Sequence, residues 1–456
     1  MNSKSRYNID MVNGPLLKKI ILFSVPLMLS GCLQLFFNAA DMVVAGQYAG
    51  SNALGAVGST GSLIHLIVNI FMGVSTGVNV VLAMCIGAND RKNASDVSHT
   101  AIASSLVFGV MVGALGIAVA RPALELMKAP PEVIDDAVRY MRIYFIGAPM
   151  LLLYNFGSAV LRAAGDTKRP LYYLTFAGVI NIIANLIFVI YFNMGVAGVA
   201  WATVISETIS ALLVLRCVVK SDDCYKIEFK KLRIHKDKFN KILKIGIPAG
   251  IQSAMFNISN VLIQSSVNSL GAAAVAGSAA GSNLEGFAYT AMNSFHQTAM
   301  AFVGQNAGAK KFDRVKKIFG LCSLLVVVVG VVIGGVLLYF STPLLKLYIP
   351  TDMDAIKYGL IRITVIFTTY WLCGLQEVIV GVLRGIGASV IPTLNSVFAI
   401  CILRILWIAT AFQVKNTMFV LFLSYPISWT VAIVMQMICY YFAMRKIKKT
   451  NSIINW

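Results

Sequence analysis

Long apolar stretches separated by short polar segments recur along the whole chain. Each stretch reaches the roughly 20 residues that a helix needs to cross a bilayer. Short segments of alternating polar and apolar residues, the signature of a membrane β-barrel, are absent from the pattern. In hydrocarbon the helix is then the structure that satisfies the backbone. The pattern predicts an all-α membrane protein with twelve spans, at about residues 16–45, 53–86, 94–120, 134–160, 170–192, 195–219, 241–267, 273–305, 315–340, 355–382, 391–412 and 416–443.

The sequence repeats itself weakly at an offset of 222 residues. Pro26 returns as Pro248, and the segment Val160-Leu161-Arg162 returns as Val382-Leu383-Arg384. Each half holds six spans, so both halves insert with the same orientation and a pseudo-two-fold axis should lie along the membrane normal. We therefore predict an N-terminal six-helix lobe over 1–219, a cytoplasmic linker over 220–240 and a C-terminal lobe over 241–456.

Composition and charge agree with a membrane protein. Of the 456 residues, 58% are hydrophobic and 12% are charged, against about 25% charged residues in soluble domains. The net charge of +19 comes mainly from Lys and Arg in the N-terminus, alternate loops and the C-terminus. This is the positive-inside pattern, so both termini and the linker are expected in the cytoplasm of a bacterial inner membrane. The basic linker is expected to face lipid headgroups, and no nucleic-acid partner is predicted.

Other familiar chemistries leave no signal. The first span follows a polar stretch and is too long for a cleaved signal peptide, so we expect an uncleaved anchor. The eight cysteines are scattered, which indicates neither a disulfide framework nor a zinc site. No phosphate-binding loop or hydrolase motif is visible, so we expect neither ATP as driver, nor a cofactor, nor an enzyme.

Asp41 is the most informative residue because it lies inside the first span. An ionisable side chain within a span is costly and is a functional hypothesis by default. Gln34, Asn38 and Asp41 share one helix face at positions i, i+4 and i+7. The alternative is a structural acid that Asn38 and Gln34 merely cap.

Two further spans carry polar stripes at a similar depth. Asn181 and Asn185 are four residues apart in the fifth span, and Thr203 and Glu207 are four apart in the sixth. Oxygen ligands of this kind suit a hard cation, an argument that we extend to Na⁺. These stripes and the one in the first span form the predicted cation-coupling site, with H⁺ or Na⁺ as coupling ion.

Several motifs resemble the multidrug and toxic compound extrusion (MATE) family. They are LRAAGDTKRP at 161–170 with LRGIGASVIP at 383–392, VGQNAGAKKFDRV at 303–315, and NAADMVVAGQYAGSNALGAVG at 38–58. The pattern is most similar to the bacterial DinF-like branch, the DNA-damage-inducible transporters. The resemblance implies a secondary antiporter that exports cationic amphiphilic or drug-like compounds by alternating access, in exchange for H⁺ or Na⁺.

The resemblance also assigns residues. Gln34, Asp41, Asn181 and Thr203 look like members of the family's N-lobe cation site, where Na⁺ would bind with Asn185 as a further ligand. Asn185 departs from the pattern, because this branch commonly has an aspartate there. Glu207 is a candidate for the missing negative charge; the alternative is that it forms hydrogen bonds within the lobe as a glutamine would.

The C-terminal lobe is not expected to hold the main cation site, since Cys373 lies near a position where another branch of the family carries an aspartate. Glu377 either contacts substrate or pairs with a base such as Arg384. Arg404 needs a partner that the sequence does not identify.

Aromatic and thioether side chains suit organic cations. Predicted to bind substrate, with ordinary packing as the alternative for each, are Tyr140, Tyr154, Met292, Trp371 and Glu377.

The alternative function is a lipid-linked oligosaccharide flippase of the same superfamily. Such a protein would be expected to show two more helices and more basic residues in its cavity. The predicted partners are therefore small organic cations and the bilayer, with the protein acting as a monomer.

Overall fold

The structure is a computed structural model that describes residues 7–127 and 129–450. Every regular element in these ranges is helical, which confirms the all-α prediction. The α-helices are α1 (Leu16–Val44), α2 (Ser51–Gly87), α3 (Arg91–Leu126), α4 (Pro131–Ile146), α5 (Ala148–Ala163), α6 (Lys168–Leu186), α7 (Gly195–Val219), α8 (Lys236–Asn268), α9 (Ala272–Gly308), α10 (Phe312–Tyr339), α11 (Ser341–Tyr348), α12 (Met353–Phe367), α13 (Tyr370–Gly385), α14 (Val390–Ser396), α15 (Leu403–Ala409), α16 (Ala411–Val414) and α17 (Met418–Thr450).

π-helical turns extend or interrupt three of the spans. They lie at Ala45–Ala49 after α1, at Ile187–Tyr191 after α6, and at Val397–Ile402 between α14 and α15. A short 3₁₀ turn, Phe229–Lys231, lies between α7 and α8. Such π turns are frequently found at functional sites, and two of these three follow helices that carry predicted site residues.

The helices correspond to the twelve predicted spans. Eight segments of the described chain are long and apolar enough to cross a membrane, and two bent helix pairs bring the total to ten. The remaining two spans are α8 and α9, which are more polar but have 33 and 37 residues. The twelve-span, two-lobe fold class is therefore confirmed.

Two predicted spans are broken rather than continuous. α4 and α5 meet at 48°, and α12 and α13 meet at 46°. Pro149 lies in the first turn of α5, where its missing N–H ends the hydrogen-bond ladder of the preceding helix. At the second break the hydroxyls of Thr368 and Thr369 donate to the carbonyls of Thr364 and Val365, bonds that often bend a helix.

Contacts divide the chain into two compact units. The first holds the described residues up to Asp10 together with Leu29–Gly250, and the second holds Met11–Met28 together with the described residues from Ile251 onward. α1 and α8 therefore each contribute one part to each unit. In both helices the change falls two residues after an internal proline, Pro26 in α1 and Pro248 in α8, where one backbone hydrogen bond is missing.

The segment 220–240, predicted as a cytoplasmic linker, packs within the first unit. The backbone N–H of Glu228 donates to His99 Nε2 at 3.0 Å, and that of His235 donates to Thr100 Oγ1 at 3.1 Å. Both acceptors lie on α3. The segment 220–240 is thus a docked part of the first unit rather than a free connection.

Candidate cation and substrate sites

Asp41 lies at the centre of a hydrogen-bonded cluster in the first unit. Its Oδ1 accepts a hydrogen bond of 2.5 Å from the Asn185 side-chain amide of α6. Its Oδ2 accepts a longer bond of 3.4 Å from the Thr203 hydroxyl of α7. The carboxylate is buried, with 8% of the residue exposed. Three helices that the sequence predicted to share a site therefore meet at this side chain.

Asn181 forms the outer part of the same cluster. Its Oδ1 accepts a second bond, of 3.3 Å, from the Asn185 amide. Asn181 and Asn185 are both buried on one face of α6, as their spacing of four residues predicts. The cluster therefore presents the carbonyl and carboxylate oxygens that a hard cation prefers.

A cavity of about 330 Å³ opens beside Asp41. Of the predicted residues, Asn185 lies behind Asp41 and is not in the cavity wall. The wall includes most of the predicted coupling residues, namely Gln34, Asn38, Asp41, Asn181, Thr203 and Glu207. The structure thus brings the predicted polar stripes together around one volume.

Two buried acceptors at this site have no hydrogen-bond donor among the residues that the structure describes. They are Oδ1 of Asn185 and Oε2 of Glu207. Leaving a buried polar atom unsatisfied costs about 1–3 kcal/mol, so such atoms call for an explanation. A bound cation would satisfy either acceptor, and a proton on Glu207 would turn that oxygen into a donor.

Close packing holds α6 against α1 at the site. Gly178 of α6 lies against the Phe37 ring of α1, and a Cβ at this position would overlap the ring. Both residues line the cavity one turn from the cluster. The glycine therefore sets how near Asn181 can come to Asp41.

Sequence reasoning missed part of the cavity wall. His65 and Asn69 of α2, and Ser206 and Ser210 of α7, also line it. Each pair is four residues apart, so the polar stripe that identified Asn181 and Asn185 was present here as well. Sequence analysis does not single out His65, which the structure places in the cavity wall.

The two predicted substrate tyrosines of the first unit differ in position. Tyr154 lines the cavity, and its hydroxyl donates to the Pro170 carbonyl at 3.4 Å. Tyr140 is buried and stacks on Tyr144, with ring centroids 6.4 Å apart. Of these two stacked rings, Tyr144 is the one in the cavity wall.

The predicted substrate residues of the second unit occupy packed positions. Met292 is fully buried on α9, and its sulfur fills the space that a Cβ at Gly374 of α13 would need. Trp371, at the start of α13, packs its backbone against Gly330 of α10. Their role in substrate binding stays a prediction.

Glu377 pairs with a partner that was not expected. Its Oε2 lies 3.0 Å from Nδ1 of His296, and Nε2 of that ring faces the Arg384 guanidinium at 3.5 Å. Sequence analysis does not single out His296, which connects an acid and a base between α9 and α13. Of the two alternatives for Glu377, the one that pairs it with Arg384 names a base that lies nearby. The His296 ring between Glu377 and Arg384 was not predicted.

A second buried ion pair escaped sequence reasoning entirely. Arg362 of α12 donates to Glu285 of α9 at 2.7 Å and to Ser278 at 2.7 Å. Both charges stand inside predicted spans, at 355–382 and 273–305, and sequence analysis does not single out either of them. Arg404 donates to Ser428 Oγ at 2.9 Å and lies 3.9 Å from the Tyr425 ring centroid.

The described residues contain no group of three His, Cys, Asp or Glu side chains able to hold a metal ion. The Asp41 site offers amide and hydroxyl oxygens besides its carboxylate. Such a donor set does not resemble a transition-metal site, which favours nitrogen and sulfur ligands. A monovalent cation or a proton fits this site better.

Comparison with known proteins identifies the fold and the family. A family described as MatE matches residues 26–187 and 248–410, two segments that begin at the repeated prolines Pro26 and Pro248. A probable multidrug resistance protein of Bacillus subtilis, YpnP, is 31% identical over 396 residues, which cover 87% of this chain and 88% of the relative. A protein of Shewanella oneidensis named FAD transporter is 26% identical over 442 residues, covering 95% and 96%.

Solved structures agree on the fold. One is described as the outward-facing conformation of a multidrug resistance MATE family transporter of the MOP superfamily; it has a TM-score of 0.91 at 19% identity and covers 98% of this chain and 100% of its own. Another, a MATE protein in a bent conformation, has a TM-score of 0.87 at 20% identity and covers 95% and 96%. The family match, the relatives and the twelve helices together show that the chain belongs to the MatE family of multidrug and toxic compound extrusion transporters.

Proposed function

We propose that this protein is a secondary antiporter that exports drug-like compounds in exchange for H⁺ or Na⁺. The observation that carries the proposal is the Asp41 cluster: a buried carboxylate bonded to Asn185 and Thr203 beside a cavity of about 330 Å³. A carboxylate among hydrogen-bond donors binds a cation or a proton reversibly. The same side chain can therefore exist in a loaded and an unloaded state.

Coupling requires that the loaded state of Asp41 differ in its contacts from the unloaded state. Unloaded, the carboxylate is an acceptor for Asn185 and Thr203. A proton on Oδ1 would compete with the Asn185 amide hydrogen, and Na⁺ would draw the unpaired Asn185 Oδ1 toward itself. Either event changes the contact between α1 and α6, and so gives the coupling ion a mechanical effect on the first unit.

The membrane potential favours the exchange whenever more positive charge enters than leaves. Each net positive charge that moves inward contributes about 2.3 kcal/mol per 100 mV, and the ion gradient drives the exchange even when the charges balance. We further propose that cationic amphiphiles are among the exported compounds, and that the protein works as a monomer of the bacterial inner membrane with both termini in the cytoplasm. A lipid-linked oligosaccharide flippase is not favoured, because relatives with multidrug names cover most of the chain.

The deciding experiment measures efflux from proteoliposomes with the proton gradient and the Na⁺ gradient imposed one at a time. We expect wild-type protein to transport an organic cation such as ethidium under at least one gradient, and Asp41→Asn to transport it under neither. The matched control is Glu125→Gln, an exposed acid of α3 that pairs with Arg121. Transport by Asp41→Asn at the wild-type rate would refute the coupling role.

Folding is checked separately in that experiment. Asp41→Asn removes an acceptor but keeps the size of the side chain, so the variant should elute as wild type does in size-exclusion chromatography. A wild-type protein that moves no organic cation under either gradient would refute the antiport proposal itself.

A further inference from the structure

The second unit holds an uneven set of buried charges. Three arginines, Arg362, Arg384 and Arg404, are buried there, each no more than 6% exposed. Two carboxylates accompany them, Glu285 at the edge of the core and the buried Glu377. Because charges at this depth are costly unless paired, the way these five groups are matched is informative.

Two of the arginines have acidic neighbours. Arg362 forms a direct ion pair with Glu285, with its Nη2 2.7 Å from Oε2. Arg384 reaches Glu377 through the His296 ring and also donates to Gln252 at 2.9 Å. Both carboxylates are thereby engaged.

Arg404 is left without an acid. Among the residues that the structure describes, no carboxylate lies within 4.0 Å of its guanidinium. Its contacts are neutral: Nε donates to Ser428, and the guanidinium carbon lies 3.9 Å from the Tyr425 ring centroid and 6.0 Å from that of Trp429. These contacts hold the side chain in place, and Glu285, the acid that acts on its charge at longer range, is already paired directly with Arg362.

Aromatic rings surround this charge. Trp429 meets Tyr425 and Tyr370 edge to face, with ring centroids 5.6 Å and 5.8 Å apart. The Tyr425 hydroxyl lies within electrostatic range of Arg362, Glu285 and Arg404. The ion pair, the surplus arginine and the rings thus form one group, which we name the Arg404 cluster: Glu285, Arg362, Tyr370, Arg404, Tyr425 and Trp429.

The internal repeat places two rings of this cluster at positions equivalent to residues of the acidic site. At the offset of 222 residues, Thr203 corresponds to Tyr425 and Glu207 corresponds to Trp429. Arg404 stands where the first repeat has Ile182, next to Asn181. Two positions that line the acidic cavity in one repeat therefore carry rings in the other, while Arg404 falls at a position outside that cavity wall.

We propose that the Arg404 cluster binds the anionic group of the transported molecule, so that substrates include aromatic compounds with a carboxylate or phosphate. This rests on the proposed transport function and adds to its cationic substrates a class of molecules that carry a negative group, zwitterions included. A guanidinium offers paired donors that match such oxyanions. The buried rings next to the guanidinium would pack against the aromatic part of a substrate that enters the cluster.

The test uses two probes that differ in one group, riboflavin and riboflavin 5′-phosphate. Binding to the purified protein in a neutral detergent is followed by quenching of flavin fluorescence. We expect the phosphate compound to bind at least about tenfold more tightly than riboflavin, which is the effect of one good charge-assisted contact. Equal affinity for the two probes, including no binding of either, would overturn the proposal.

Variants locate the effect. Arg404→Gln should abolish the preference for the phosphate compound while riboflavin affinity changes less than about twofold, and Ser428→Ala should keep most of the preference because the charge remains. Arg404→Lys keeps the charge without the planar fork and should retain part of the preference if the glutamine variant does not fold. Equal weakening of both probes by Arg404→Gln would mean that the residue only supports packing.

Two further measurements distinguish a substrate site from a lipid site and from the coupling site. Adding phosphatidylglycerol should not displace riboflavin 5′-phosphate from the wild-type protein. If the lipid displaces this probe from wild type but not from Arg404→Gln, the site binds a lipid headgroup and is not a substrate site. Asp41→Asn should keep the anion preference, since no gradient is involved in equilibrium binding. If the wild-type protein prefers the phosphate compound but shows no antiport, the transport proposal alone is refuted. If it shows antiport but no preference for the phosphate compound, only the anion site is refuted.

Discussion

The Asn185 side-chain amide donates to Oδ1 of Asp41 at 2.5 Å, joining α6 to α1 at a buried carboxylate. An aspartate at position 185 would place a second carboxylate against the first. Since ligand charge raises the affinity of an oxygen site for a cation, we expect Asn185→Asp to lower the Na⁺ concentration for half-maximal transport by about tenfold. The measurement is efflux against external Na⁺ at fixed pH, and an unchanged Na⁺ dependence would show that Na⁺ does not bind here.

Glu207 offers a test between its two predicted roles. Its Oε2 is buried without a donor, so an amide in its place would lose the ionisable group but keep the shape. We expect Glu207→Gln to reduce coupled efflux by about tenfold, because losing one well-placed ionic contact costs about 1.4 kcal/mol or more. Thermal unfolding should stay near wild type, with Glu125→Gln as the exposed control. Full activity in Glu207→Gln would support the hydrogen-bonding role instead.

Gly178 tests whether close packing positions the cation site. A Cβ there would overlap the Phe37 ring, and overpacking of this kind costs about 1–3 kcal/mol. Gly178→Ala should therefore lower thermal stability and weaken coupled efflux. Phe37→Leu should restore much of both in the double variant, and a double-mutant cycle gives the coupling energy. Additive effects of the two changes would contradict the contact.

Spacing along single helices predicted which polar residues of the first unit lie close together. Asp41, Asn181 and Thr203 lie on separate spans, and each was recognised because a polar residue in an apolar helix stands out and its i+4 neighbour shares its face. The 222-residue repeat likewise predicted two related halves, and the family match begins at Pro26 and Pro248 in the two halves. Such signals are local or periodic, which is why they can be read from one chain.

Pairings between distant helices were not predictable in the same way. His296 lies between Glu377 and Arg384, and Glu285 meets Arg362 across 77 residues; no spacing rule links such positions. The sequence also does not predict that α1 and α8 each pass from one compact unit to the other, because each helix is continuous in sequence and hydropathy. These contacts and unit boundaries depend on which helix faces pack against each other in the folded protein.

The N-cap of α3 gives a pH-dependent prediction outside the membrane. Two hydrogen bonds from Asn93, one from its backbone N–H and one from its side chain, hold the pKa of Asp90 below its ordinary value of 3.8. The stabilisation is therefore present above pH 3.8 and is lost as the pH falls through the lowered value. Asp90→Ala should destabilise the protein by about 1 kcal/mol at pH 7.

Thermal unfolding of the Asp90→Ala variant and wild type at pH 7 and near pH 3 measures this effect. The difference between them should shrink at the lower pH, where the wild-type cap becomes protonated. Asp222→Ala, at an exposed linker acid, is the control and should change stability little at either pH. An Asp90→Ala effect that is the same size at both values would contradict a charge-dependent cap.

The docked linker leads to a prediction about hydrogen exchange. His99 Nδ1 lies 2.8 Å from the Ser95 carbonyl, so it carries the proton and Nε2 is free to accept from the Glu228 N–H. Thr100 accepts the His235 N–H in the same way. Because an amide exchanges faster once its bond is lost, His99→Ala should speed exchange in peptides that contain Glu228, by about tenfold for a bond worth about 1.4 kcal/mol. Thr100→Val should do so in peptides that contain His235.

These two variants serve as controls for each other, since each removes one anchor and leaves the second. If the linker is docked at two independent points, each variant affects its own peptide alone. If it is released as one segment, either variant speeds exchange across 220–240, which would make the docking cooperative. Wild-type exchange in both variants would show that the linker is not held by α3, and the assignment of this segment to the first compact unit would then fail.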